Sequence, residues 1–170
     1  IKRDDLTGAT LSGNKIRKLE FIAAYALEND YTILITCGGI QSNHCRATAL
    51  VAARLGLDCH LVLRSDDVPI ALTGNFLLDQ LAGASFEILP TKGWGRNLSR
   101  RYVSLEAEFE AAGKKSLMIP TGGSDSLGVW GYIAATEELQ CDLIENGLGR
   151  VAIALATGSA GTQTGLTAGA

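Results

Sequence analysis

The sequence predicts an α/β fold with a mostly parallel sheet, and three observations carry that prediction. Short apolar runs rich in β-branched residues alternate with longer stretches of helical periodicity. Glycines cluster directly after several of those runs, where a strand turns into a helix. At 170 residues, 46% hydrophobic and 19% charged, the chain has the material for a packed core, as one ordinary domain or two small ones.

Residues 15–28 read as a helix, because Ile16, Leu19, Ile22, Ala23 and Ala26 recur at helical spacing and Ser12 or Asn14 can cap the start. The run 32–37, apolar on both faces, suits a strand buried between helix layers, and Gly38 and Gly39 end it. The alanine-rich stretch 42–55 reads as the next helix, with Gly56 as its stop. Further strands are expected near 59–63, 86–89, 117–119 and 151–156, with helices near 74–81, 98–112 and 127–145. Residues 91–96, with two glycines, read as a surface turn. The domain reading places 32–126 in a small α/β domain and assigns 1–31 and 127–170 to a larger one.

Fifteen Lys and Arg against 18 Asp and Glu leave a net charge of −3, which withholds the basic footprint of a nucleic-acid binder. No apolar run reaches membrane-spanning length and the amino end lacks a secretion signal. A soluble, cytoplasmic protein is therefore expected, with neither nucleic acid nor membrane as partner. Cys37, Cys45, Cys59 and Cys141 form no CxxC pair and read as free, mostly buried thiols. Cys59 and His60 point to opposite faces of one strand, which argues against a shared ion, and no metal is expected. Met118 is the only methionine, so Ile1 is not a translational start and the chain reads as a fragment cut at both ends.

Twenty glycines make roughly 12% of the chain, against roughly 7% in average usage. The surplus falls at Gly38-Gly39, at Gly122-Gly123, and at Gly158, Gly161 and Gly165, each set just after an expected strand. Glycine there lets the backbone approach a ligand, while the following helix offers unpaired N–H groups to an anion. Thr157-Gly158-Ser159-Ala160-Gly161-Thr162-Gln163 is the best such cradle and phosphate its natural occupant, although similar glycines also punctuate turns that bind nothing. The GxxxxGK[ST], GxGxxG and GxSxG patterns are absent.

Two further segments offer chemistry. Lys15 follows Gly13 at a helix start, where the helix dipole opposes its charge and lowers its pKa; the plain alternative is a solvated lysine in a Lys-x-x-Lys turn. In Gly38-Gly39-Ile40-Gln41-Ser42-Asn43-His44, two amides, a hydroxyl and an imidazole stand at a strand-to-helix junction. Capping by Ser42 or Asn43 accounts for part of this set. It can also bind a carboxylate through Ser42, Asn43 and backbone amides, with Gln41 as a further donor. His44 suits a helix-surface or capping role better than a catalytic one.

Taken together, 2–8, 12–20 and 38–44 resemble the D-cysteine desulfhydrase and 1-aminocyclopropane-1-carboxylate (ACC) deaminase family, with further matches at Gly74-Asn75, Ile119-Pro120, Gly122-Gly123-Ser124, Leu127-Gly128 and Thr157-Gly158-Ser159. The resemblance implies a three-layer parallel-sheet enzyme of the tryptophan-synthase-β-like class that uses pyridoxal 5'-phosphate, with a carboxyl-terminal portion absent. It implies that Lys15 carries the cofactor as a Schiff base and moves protons at the substrate. Asn43 then contacts the cofactor's phenolic oxygen, and Thr157, Gly158, Ser159, Gly161 and Thr162 cradle its phosphate. Gln41, Ser42, Asn43 and His44 face a small amino-acid substrate, with Ser42 also catalytic. The activity implied is elimination from D-cysteine to pyruvate, hydrogen sulfide and ammonia, favoured by the His44 that completes QSNH; the alternative is ACC deamination or a related β-elimination. The full-length protein is expected to be a homodimer, and the fragment alone is expected to bind cofactor weakly. A non-enzymatic anion- or nucleotide-binding module is the competing class, and it predicts phosphate binding that survives loss of Lys15.

Overall fold

A computed structural model describes residues 1–8, 13–67 and 69–170. Ser12, one of the two expected helix caps, lies outside the described residues. The chain divides into two compact units, one of Ile1–Ile22 with Gly122–Ala170 and one of Ala23–Thr121. Helix α1 (Asn14–Glu28) runs across the boundary at 22/23. No helix among the described residues is long and apolar enough to cross a membrane.

The unit Ala23–Thr121 is built on a parallel sheet of β1 (Ile33–Gly39), β2 (Asp58–Arg64), β3 (Ser85–Leu89) and β4 (Ser116–Met118), in the order β3-β2-β1-β4. Between the strands run α2 (Asn43–Leu55), α3 (Gly74–Leu81) and α4 (Trp94–Ala111). Alternate residues of β1 serve opposite faces. Ile33, Ile35 and Cys37, with Val62, pack against Leu105, Tyr102 and Phe109 of α4. Thr36, on the other face, bonds His44 of α2. Helix α2 ends as expected, at Gly56 in the left-handed conformation with φ 71°.

Three expectations need adjustment. Gly38 and Gly39 do not end β1; they continue it, paired with Leu63 and Arg64 of β2. Helix α4 starts at Trp94 rather than 98, because Gly93 at φ 76° turns the chain into it and Trp94 packs onto the core, so half of the expected 91–96 turn is helix. Residues 151–156 form no strand, and their side chains are exposed: β structure needs a paired ladder, and the unit holding this segment has no strand among its described residues to supply one.

In the other unit, α1 begins beside α5 (Trp130–Glu145) and α6 (Gly161–Gly169). A Cβ added at Gly131 of α5 would lie 2.0 Å from the Arg17 carbonyl oxygen of α1. Added at Gly165 it would lie 2.4 Å from Tyr132 Cβ, and at Gly169 2.3 Å from Thr136 Oγ1. Gly165, grouped in sequence with the ligand-binding glycines, is thus a packing residue that lets α6 approach α5. Arg17 bridges Asp4 at 3.0 Å and Glu138 at 2.7 Å, and Lys2 adds contacts to Glu138 and Asp142. Arg17 holds the Glu138 carboxyl down to about 2. Gly131→Ala is expected to destabilise this unit by on the order of 3 kcal/mol, read as a lower urea midpoint, since backbone rather than a side-chain tip must move.

Candidate functional site

The sequence-selected residues fall into two sets, one in each unit. In the first, Lys15 stands in the opening turn of α1, half-buried, and burial pulls its pKa below the ordinary lysine value. Its neighbour Asn14 directs Nδ2 to Thr162 Oγ1 at 3.5 Å, which ties the start of α1 to the start of α6. The loop ahead of α6 exposes Thr157, Gly158 and Ser159, and Gly158 has open space where a side chain would project. The first helical bond of α6 runs from Thr164 N–H to Ala160 O, so the amides of Thr162 and Gln163 precede the hydrogen-bonded turns. Thr157, Gly158, Ser159, Gly161 and Thr162 are therefore gathered about one helix N-terminus.

Lys18 belongs to the same place, and sequence reasoning passed over it. It lies one turn beyond Lys15, is 1% exposed, and donates to Gly122 O at 3.2 Å and to Ser124 Oγ at 3.0 Å. Ser124 Oγ lies in turn 2.7 Å from Ser159 Oγ. A Cβ at Gly161 would lie 2.5 Å from Lys18 Nζ, so the ammonium sits against the first residue of α6. Among the described residues no carboxylate bonds it. Burial, then the charge of Lys15, bring its pKa down to about 8, with Asp125 opposing. A buried ammonium and the positive end of a helix converge here, an arrangement whose chemistry suits a phosphate group.

In the second unit, the segment after β1 turns tightly, Ser42 N–H bonding Gly39 O at 2.9 Å. Ser42 caps α2 by accepting from Cys45 N–H at 3.2 Å, which leaves its hydroxyl proton for another acceptor. Gly38 makes room for it: a Cβ there would lie 2.6 Å from Ser42 Oγ. Gln41 accepts from Asn75 N–H at 2.8 Å and donates to Thr73 O at 3.1 Å, and so caps α3 from a distant loop, because Thr73 makes no side-chain cap. Asn43 Oδ1 accepts from Asn75 Nδ2 at 2.9 Å. His44, the fourth residue of the set, is buried and points inward to Thr36 Oγ1 at 2.8 Å. Since Thr36 gives its one proton to Ile119 O, His44 Nε2 is the donor in that pair.

The chain matches the family model described as pyridoxal-phosphate dependent enzyme over residues 1–170, and it belongs to that family, whose cofactor is pyridoxal 5'-phosphate. Among particular proteins, it is 44% identical over 176 residues to the mitochondrial bifunctional D-cysteine desulfhydrase/1-aminocyclopropane-1-carboxylate deaminase of Arabidopsis thaliana, covering 99% of this chain and 44% of the relative. It is 40% identical over 178 residues to the D-cysteine desulfhydrase of Salmonella paratyphi B, covering 99% of this chain and 52% of the relative. A crystal structure of an ACC deaminase homologue superimposes with TM-score 0.85 at 38% identity, over 98% of this chain and 49% of that one. The chain spans about half the length of the curated relatives it matches.

Proposed function

We propose that the protein is a pyridoxal-phosphate-dependent lyase that eliminates hydrogen sulfide from D-cysteine, releasing pyruvate and ammonia. The observation that carries the cofactor assignment is the α6 N-terminus, with Thr157, Gly158 and Ser159 exposed ahead of it, Lys18 buried against Gly161, and Lys15 one turn from Lys18. The Salmonella relative's name and the QSNH segment 41–44 support D-cysteine as substrate. The two-part name of the Arabidopsis relative favours ACC deamination as the second reading.

In this reading Thr157, Gly158, Ser159, Gly161 and Thr162 hold the phosphate through hydroxyls and backbone amides, and Lys18 neutralises part of its charge. Bound pyridoxal phosphate supplies an electron sink for negative charge at the substrate's α carbon. Lys15 holds the cofactor covalently and takes the α proton. Partial burial suits both tasks, because it disfavours the ammonium and so favours the neutral amine. Ser42 offers its O–H to the substrate carboxylate and the reacting carbons, and Asn43 offers an amide donor to the cofactor's phenolic oxygen. His44, turned to Thr36, supports the Ser42-Asn43 turn from beneath. A homodimeric, cytoplasmic holoenzyme completes the reading.

Lys15→Ala tests it. Borohydride reduction of the full-length holoenzyme followed by peptide mass mapping is expected to label Lys15 in the wild type and nothing in the variant, with pyruvate formation falling about a thousandfold. Unchanged labelling, or turnover that survives, overturns the assignment. Sulfide from D-cysteine against 2-oxobutyrate from ACC separates the two substrates.

A further inference from the structure

We infer that Asn75, held by Arg46, is a positioning residue that fixes the orientation of the Asn43 carboxamide and so leaves the Asn43 NH2 group as the donor it presents to ligand. The inference rests on the reading above, in which Asn43 meets the cofactor's phenolic oxygen.

Each hydrogen bond around Asn75 admits one assignment of donor and acceptor. A guanidinium only donates, so the 3.0 Å bond from Arg46 Nη1 makes the contacted atom of Asn75 its carbonyl oxygen. A backbone carbonyl only accepts, so the 2.8 Å contact to Gln41 O makes the other end of the Asn75 amide its nitrogen. That nitrogen spends its second proton on Asn43 at 2.9 Å, which identifies the contacted Asn43 atom as Oδ1. Asn43 Nδ2 is then turned away from this network, and no hydrogen bond to it is seen among the described residues. An amide flip at Asn43 would set NH2 against NH2, and a flip at Asn75 would set NH2 against guanidinium.

The scaffold around this relay is equally constrained. Gly74 has φ 56°, and a Cβ there would lie 2.4 Å from Gln41 Oε1, so the β1–α2 turn and the start of α3 fit only with glycine at 74. Gln41 closes both sides of the junction through Asn75 N–H and Thr73 O. A phenolate oxygen accepts and never donates; it needs the NH2 face of Asn43, and a carboxamide free to rotate would offer that face only part of the time.

Asn75→Asp is the informative change. The carboxylate still accepts from Arg46 but cannot donate, so Asn43 turns its NH2 group to residue 75 and presents its oxygen to the ligand. In the full-length holoenzyme, the pH midpoint of the bound cofactor's visible band is expected to rise by about one unit in Asn75→Asp and about equally in Asn43→Ala, with roughly tenfold weaker cofactor affinity in each. Asn75→Asp added to Asn43→Ala is expected to shift the midpoint no further. A shift in Asn43→Ala with none in Asn75→Asp, or additive shifts, overturns the positioning role. No shift in Asn43→Ala overturns the underlying contact instead. Should Asn75→Asp fail to fold, Arg46→Gln read by the same band decides: a partial upward shift supports the relay, and an unchanged midpoint refutes it.

Discussion

Lys18→Met is expected to weaken cofactor binding while stabilising the unliganded protein, two effects of opposite sign from one substitution. The ammonium is 1% exposed, and its pKa falls from 10.5 to about 8. That depression corresponds to roughly 3 kcal/mol of penalty for the charged form at pH 7, before its two hydrogen bonds offset part of it. Methionine fills nearly the same volume without the charge, so the net gain in apo stability is expected to be about 1–2 kcal/mol by urea titration. The phosphate loses a charge-assisted donor, which raises its dissociation constant about ten- to a hundredfold. Pyridoxal, which lacks the phosphate, is expected to bind both forms alike. A folded-state pKa below the unfolded one also fixes the pH trend: wild-type affinity for pyridoxal phosphate falls once pH climbs past about 8, and the variant shows no such component. Equal weakening of pyridoxal and pyridoxal phosphate would assign Lys18 to packing alone.

The second large effect is expected at Asp79 of α3, a residue given no role in the proposed reaction. Its carboxyl is 1% exposed, neither oxygen has a hydrogen-bond partner among the described residues, and burial raises its pKa from 3.8 to about 7, with Arg46 opposing. The folded state therefore holds the proton more tightly than the unfolded chain. Asp79's favourable contribution is complete below about 3.8 and is lost as pH rises through about 7. Relative to wild type, Asp79→Asn should gain roughly 2–4 kcal/mol of unfolding free energy between pH 4 and 8, because the amide does not ionise. A difference between the two proteins that stays constant across that range would mean Asp79 is already solvated or paired.

Local patterns were legible in the sequence, and long-range partnerships were not. Alternating β-branched runs and glycines disclosed the four strands of the sheet and the cap at Ser42, because each depends on neighbours a few residues away. Lys18 drew no reading from the sequence; its burial comes from Gly122, Ser124 and Gly161, more than a hundred residues along the chain. The Asn43–Asn75 pair joins positions 32 residues apart, and no period or motif signals it. Residues 151–156 show the converse failure. Their composition reads as strand, but strand is a property of a pair, and propensity in one segment cannot provide the other. Glycine was the most ambiguous letter: Gly158 leaves room at the loop, whereas Gly165 and Gly169 bring two helices together.

The buried thiols of the sheet unit carry a last consequence. Burial pushes Cys45 up to about 12 and raises Cys59 as well, so neither yields appreciable thiolate near neutral pH. Thiolate is the species that attacks disulfides and takes up sulfur. If the proposed elimination from D-cysteine holds, sulfide is the product, and these two buried thiols meet it in their protonated, unreactive form.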